Sequence, residues 1–317
     1  MPCKNCSINP VIQLTNSNIK LCKSCFIRYF EKKAFKTIHQ FNLIDKKDEI
    51  EVAISGGKDS LSVLNLLNKL AEKRMDIKLT AILIDEGIKG YRNETIKDAK
   101  KFCKNHNIKL NIYSFKEEFG FTLDEMKNKL KARPCSVCGV FRRYLINKKA
   151  RELKVNKIAT GHNLDDEAQA VLMNQFKNNI QVSARLGPLT GIKRNPKFIP
   201  RIKPFYLLTE KEVMTYAFLN RLTGKYIECP YESESFRCDV RDFLNDFEQK
   251  YPGTKHSIIS SFLEILPLLK TKYESSKIKT CKSCSEPTSS EICTACEIRK
   301  KLKNVNYSAL KYRASFS

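Results

Sequence analysis

The stretch VAISGGKDSL, residues 52–61, limits what this chain can become more than any other. An apolar run, EIEVAIS (49–55), enters two glycines and a lysine; an apolar pattern at 61, 63, 64, 66, 67 and 70 leaves them. The run predicts a buried strand and the pattern a helix face. Gly56 and Gly57 let the backbone fold close to an anion and turn its amides toward it, while Ser55 and Ser60 add hydroxyl donors. Lys58 would neutralise phosphate charge. The spacing differs from the common nucleotide loop, in which four residues separate the first Gly from Gly-Lys-Ser/Thr. Asp59 is the unusual member, because a carboxylate beside a phosphate repels it unless a cation such as Mg²⁺ lies between.

Downstream, strand and helix patterns alternate. KLTAILID (78–85), KLNIYSF (109–115) and KIATG (157–161) read as strands. Residues 93–107, 139–154 and 163–178 read as helices, the last with acids in its first turn where the dipole favours them. The alternation predicts an α/β fold with a parallel sheet covered on both faces, whose ligands bind at the carboxyl ends of the strands. The glycine loop and TGHNLDD (160–166) both follow strands, so they are expected to converge on one crevice. There Asp166 would share the cation with Asp59. A plain glycine turn with a solvated Lys-Asp pair would not require that second acidic loop.

Cysteine usage adds a second constraint. No apolar stretch approaches the ~18 residues of a bilayer span, and the N-terminus lacks a signal-peptide core, so a cytosolic protein is expected. In that compartment thirteen cysteines point to metal rather than disulfides. Cys3-x2-Cys6 and Cys22-x2-Cys25 lie at one end, Cys281-x2-Cys284 and Cys293-x2-Cys296 at the other. Each set supplies four thiolates, the requirement of a closed tetrahedral Zn²⁺ site. Metal would also supply folding energy that these apolar-poor segments lack. Cys103 reads as core. Cys135 and Cys138 form a single hook, either a redox pair or part of a three-thiolate site with Cys229 as candidate third member. Cys238 reads as a helix-interior residue and the weaker candidate. A three-cysteine iron–sulfur cluster would leave one iron without a protein ligand.

Lys and Arg exceed Asp and Glu by 24, which points to a polyanionic partner such as nucleic acid, with a Lys- and Asn-rich compositional bias as the plainer explanation. The proline-rich basic stretch 185–205 reads either as a linker or as a loop touching RNA phosphates. The basic tail KLKNVNYSALKYRASFS reads as an RNA-backbone contact or as disordered. His162 reads as a packing or hydrogen-bonding residue, with a general base as the alternative. Arg142 and Arg143 read as phosphate ligands or as a solvated helix face.

SGGKDS after a strand resembles the PP-loop of ATP pyrophosphatases, GHNLDDEAQAVLMN resembles the second nucleotide-binding segment of the tRNA thiolation branch, and PCSVCGVFRRY resembles that branch's central hook. With the flanking cysteine pairs, the chain is similar to two-zinc-finger tRNA 2-thiouridine synthetases from Cys3 to Cys296. The resemblance implies a four-cysteine zinc finger at 1–30, a linker helix at 31–48, a PP-loop catalytic domain at 49–272, a second four-cysteine finger at 278–300 and a basic tail at 301–317. It implies that ATP adenylates the C2 oxygen of a wobble or T-loop uridine in tRNA, and that sulfur displaces AMP. It further implies a [4Fe-4S] cluster on Cys135, Cys138 and Cys229 whose open iron carries the sulfur, two Zn²⁺, and Mg²⁺ with ATP. Asp59 and Asp166 would be the catalytic acids. Ser55, Gly56, Gly57, Lys58 and Ser60 would hold phosphates, Ala53 and Ile84 would offer backbone groups to adenine, and Arg142 and Gly161 would complete the pocket. The expected partners are tRNA, ATP and a sulfur donor (sulfide, a cysteine desulfurase or a ubiquitin-like thiocarboxylate protein), in a possible homodimer. Rival readings are a cluster-free persulfide thiolase, a PP-loop amidating enzyme, which needs no thiolate trio, and an RNA-binding protein with a degenerate nucleotide domain. The intact Lys58-Asp59-Ser60 argues against the last.

Overall fold

The computed structural model describes residues 2–192, 197–222, 228–231, 235–274 and 278–314, with side chains of the last helix described to Asn304. An antiparallel ribbon, β1 (Ile12–Gln13) with β2 (Lys20–Leu21), opens the chain. The central sheet follows: β3 (Glu49–Ile54), β4 (Lys78–Asp85), β5 (Lys109–Ser114), β6 (Lys157–Ala159) and β7 (Arg201–Ile202). Its order is β5-β4-β3-β6-β7, every neighbouring pair parallel. A second ribbon, β8 (Lys279–Thr280) with β9 (Pro287–Thr288), precedes the last helix. The strand order reverses between β3 and β6, and that switch point is where a doubly wound sheet opens a crevice.

Side chains alternate across the pleat and sort the core into two layers. Ile50, Val52 and Ile54 of β3, with Ala81 and Leu83 of β4, join one cluster with Leu61, Leu64 and Leu67 of helix Lys58–Lys73 and Phe26 and Phe30 of helix Lys23–Gln40. Ile82 and Ile84 face the other way, onto Phe115, Met126, Val137, Phe141 and Leu145. The terminal cysteine segments divide between these layers. Cys3 and Cys22 pack into the first, Cys281, Cys293 and Cys296 into the second.

Several expectations shift. Helix Lys23–Gln40 begins inside the first cysteine segment, not at residue 31. The stretch 185–205 carries the fifth strand, β7, beside β6; residues 193–196 of that stretch lie outside the described residues. The basic tail continues helix Thr294–Ala314. Cys103 is buried, which pushes its thiol up to about 11, as a core position requires.

Glu51 is fully buried in the middle of β3. Asn111 Nδ2 donates to its Oε1 at 3.2 Å, while Oε2 has no partner among the described residues. Burial pushes this carboxyl up to about 7, against the smaller opposing effect of Asn111. The folded chain therefore keeps a proton that the unfolded chain releases near 4.5. The sign follows: this contribution to stability is complete below 4.5 and is lost as pH rises through 7. Glu51→Gln is expected to match the parent within about 0.5 kcal/mol at pH 4 and to exceed it by roughly 3 kcal/mol at pH 8. Urea unfolding at the two pH values checks this; equal differences at both would contradict it.

Candidate active site

The glycine loop leaves β3 at Ser55 and feeds helix Lys58–Lys73, with Gly57 as its N-cap. The loop is held by its own serines. Ser55 N–H donates to Ser60 Oγ at 3.1 Å, Gly57 N–H to Ser55 Oγ at 3.3 Å, and Ser60 Oγ to the Gly57 carbonyl at 3.0 Å. Gly56 has φ +83°, and a Cβ there would lie 2.0 Å from the Thr95 carbonyl oxygen. Gly161, at the end of β6, approaches the Asp59 backbone so closely that a Cβ would sit 2.7 Å from it. Gly161 lets the loops after β3 and β6 touch, as the sequence leads one to expect, while Gly56 seats the glycine loop against helix Arg92–Asn105.

The two loops form walls of a cavity of about 230 Å³. Ser55 to Asp59 line one side and Asn163, Asp166 and Gln169 another. Lys58 Nζ lies 2.9 Å from Asp59 Oδ2 and 3.0 Å from Glu210 Oε1. Asn163 caps helix Leu164–Phe176 through a reciprocal box with Asp166, and its Nδ2 reaches Asp59 Oδ1 at 3.4 Å. Burial raises the Asp59 carboxyl against the pull of Lys58. Burial likewise pushes Asp166 up to about 7, with the Asp59 charge adding to it and Arg237, 3.5 Å away, opposing it. Two carboxylates whose ionisation is held back this way are the setting that a divalent cation relieves.

Cys229 and Cys238 line the same cavity as Lys58, Asp59 and Asp166. Cys135 and Cys138 lie in the first two turns of helix Pro134–Glu152, not ahead of a helix starting at 139; Pro134 occupies the N-terminal position that proline favours. Cys135 Sγ donates to the Tyr231 carbonyl at 3.0 Å, two residues beyond Cys229, and Cys138 and Cys229 pack on one cluster. Burial pushes Cys138 up to about 12, with Arg142 opposing. Cys238 is in the first turn of helix Phe236–Lys250, not its interior, with Arg241 Nη2 at 3.2 Å from its Sγ.

At the chain ends, Cys3, Cys6, Cys22 and Cys25 bring their sulfurs within 4.8 Å of one another, and so do Cys281, Cys284, Cys293 and Cys296. Either set could hold a metal ion. The second is keyed to the hook's helix. Glu286 accepts from Arg151, and from Asn147 Nδ2 at 3.3 Å, both on helix Pro134–Glu152.

Other expected residues surround the cavity without lining it. The Ile84 carbonyl accepts from Arg92 Nη2, whose Nη1 donates to the Ser55 carbonyl at 2.9 Å. Ala53 is half-buried beside the second layer. Arg142, half-exposed, lies 3.7 Å from Glu86. His162 Nδ1 lies 2.9 Å from Thr160 Oγ1. Arg92, Glu210 and Arg237 were not anticipated. The pair Arg237 and Arg241, four residues apart beside Cys238, was a readable sign of one basic helix face, and both line the cavity.

A parallel sheet with this loop at its switch point defines a PP-loop nucleotide-binding domain, and the family described as PP-loop domain matches residues 29–245. The tRNA-5-methyluridine(54) 2-sulfurtransferase of Pyrococcus horikoshii is 37% identical over 97% of this chain and 96% of its own length. The tRNA 2-thiolation protein NcsA of Haloferax volcanii is 32% identical over 96% and 100%. Among solved structures, the U34-tRNA thiolase NcsA from Methanococcus maripaludis with its [4Fe-4S] cluster superposes with a TM-score of 0.82 at 35% identity, covering 95% of this chain and 96% of that one. The chain belongs to the PP-loop family of tRNA 2-thiolation sulfurtransferases.

Proposed function

We propose that this protein thiolates a tRNA uridine at C2 in two steps within one cavity. The observation that carries the reading is that Lys58, Asp59 and Asp166 line the same space as Cys229. In the first step the loop amides, Ser55, Ser60 and Lys58 hold the ATP phosphates, and Asp59 and Asp166 hold Mg²⁺. The uridine O2 attacks the α-phosphorus, the α–β bridge breaks and pyrophosphate leaves. In the second, hydrosulfide adds at C2 and the C2–O2 bond breaks, releasing AMP and a proton. Cys135, Cys138 and Cys229 suit a [4Fe-4S] cluster, which when bound supplies an open iron for sulfide. The two terminal four-cysteine sets suit structural Zn²⁺, with one finger supporting each face of the sheet. The relatives' names give 5-methyluridine 54 and U34 of tRNA, which supports a T-loop or a wobble uridine as the substrate position. A thiocarboxylate protein, a desulfurase or free sulfide would supply the sulfur, and pairing of two copies through the fingers remains part of the reading. No described helix is long and apolar enough to cross a membrane. The name of a Dictyostelium discoideum relative, cytoplasmic tRNA 2-thiolation protein 1, supports a cytoplasmic reaction.

The tRNA would be held by a crowd of cations. Burial pushes Arg201 down to about 10, with Arg143 and Arg142 adding to the effect. Arg201 Nη2 also donates to the Arg143 carbonyl at 3.4 Å. Like charges gathered this way favour a polyanion. Arg201→Ala is expected to flatten the salt dependence of tRNA binding by about 0.7–0.9 in log–log slope for each phosphate that the protein no longer neutralises. An unchanged slope would remove Arg201 from the interface. The reaction itself is tested by pyrophosphate release, which should require tRNA. Release that instead follows ammonia incorporation would favour the amidating rival.

A further inference from the structure

We infer that Glu210 is a positioning residue that occupies the loop lysine when no phosphate is bound and yields it to the β- and γ-phosphates of ATP. The inference rests on the phosphate reading of the glycine loop given above. Lys58 is 9% exposed, so its ammonium needs an anion beside it at every stage of the cycle. Two carboxylates serve now, Asp59 from the loop itself and Glu210 from across the cavity. Asp59 is the one a divalent cation would draw away, leaving Glu210 as the partner that phosphate must displace.

The backbone under Glu210 is fixed, and its side chain is half-exposed. Glu210 N–H donates to Asp165 Oδ2 at 2.8 Å, and Asp165 Oδ1 is held by Lys255, whose Nζ also donates to Asn245 Oδ1 at 2.6 Å. Glu210 starts helix Glu210–Leu219, which is closed by a capping box between Thr209 and Glu212. Glu212 is tied in turn to Tyr29 at 2.8 Å and Lys33 at 3.2 Å. The Glu210 side chain, 38% exposed, reaches from this fixed backbone to Lys58. Such a group competes with phosphate for one cation. It weakens binding of pyrophosphate and speeds its departure by taking Lys58 back.

The test is calorimetric binding of inorganic pyrophosphate without Mg²⁺ to the metal-loaded full chain, with single-turnover kinetics alongside. Glu210→Gln should bind pyrophosphate about three- to tenfold more tightly, with a lower KM for ATP and a lower kcat limited by product release. Glu210→Asp, which keeps the charge, should return toward the parent. Glu228→Gln, at an acid lining the same cavity, should change affinity less than twofold. Three results would overturn the inference. One is unchanged or weaker pyrophosphate binding by Glu210→Gln. Another is an equal gain in Glu228→Gln, which would mean only a general field. The third is a loss confined to Mg²⁺–ATP, which would make Glu210 a metal ligand. A parent chain that binds neither pyrophosphate nor ATP would overturn the phosphate reading as well.

Discussion

Asp59→Asn is expected to lower tRNA-dependent pyrophosphate release by at least about 100-fold, the scale at which loss of one preorganised charge-stabilising group is felt. Asn has the shape of Asp and keeps a carbonyl for Asn163 Nδ2, so the helix start is preserved. What it lacks is the charge. Lys58 loses its 2.9 Å carboxylate partner and turns to Glu210 alone, and a divalent cation loses one of the two aspartates on this cavity. Metal held by cysteines lies on other residues and should be unchanged. Coupled assays of pyrophosphate on anaerobic protein decide the matter, and a rate above a tenth of the parent's would remove Asp59 from the first step.

Cys229→Ala is expected to abolish thiolation while pyrophosphate release stays within a few-fold of the parent. Cys229 lines the cavity, and the glycine loop is held by contacts through Ser55, Ser60 and Arg92. With two thiolates left, Cys135 and Cys138 cannot retain a cubane that needs at least three protein ligands to leave only one iron open. Iron should therefore fall from about four per chain toward zero, while the two closed four-cysteine sets keep about two zincs. Elemental analysis gives both numbers on one sample. Full thiolation by the variant would sink the three-cysteine assignment and move attention to Cys238, the other thiol on the cavity wall.

The parts of this site legible in the sequence were local. Gly56 and Gly57 announce a close backbone turn, and the structure shows the Thr95 carbonyl against Gly56. The two terminal four-cysteine sets were legible because metal spacing is written in the chain itself. Packing decided the rest. Strand β7 has two residues, Arg201–Ile202, too few to show a period of two, and it exists because β6 offers an edge. Pro134 should have moved the hook's helix start ahead of Cys135, since proline is at home in the first turn. Glu210 and Arg237 lie 152 and 71 residues from their partners Lys58 and Asp166, so no sequence window joins them.

The most direct test of the account is nucleoside mass analysis of a tRNA transcript incubated anaerobically with the reconstituted protein, Mg²⁺–ATP and sulfide. The expected result is one 2-thiouridine per pyrophosphate formed, none without ATP, and none after the protein's iron is removed. Pyrophosphate formed with no sulfur in the tRNA, or equal thiolation by iron-free protein, would contradict it.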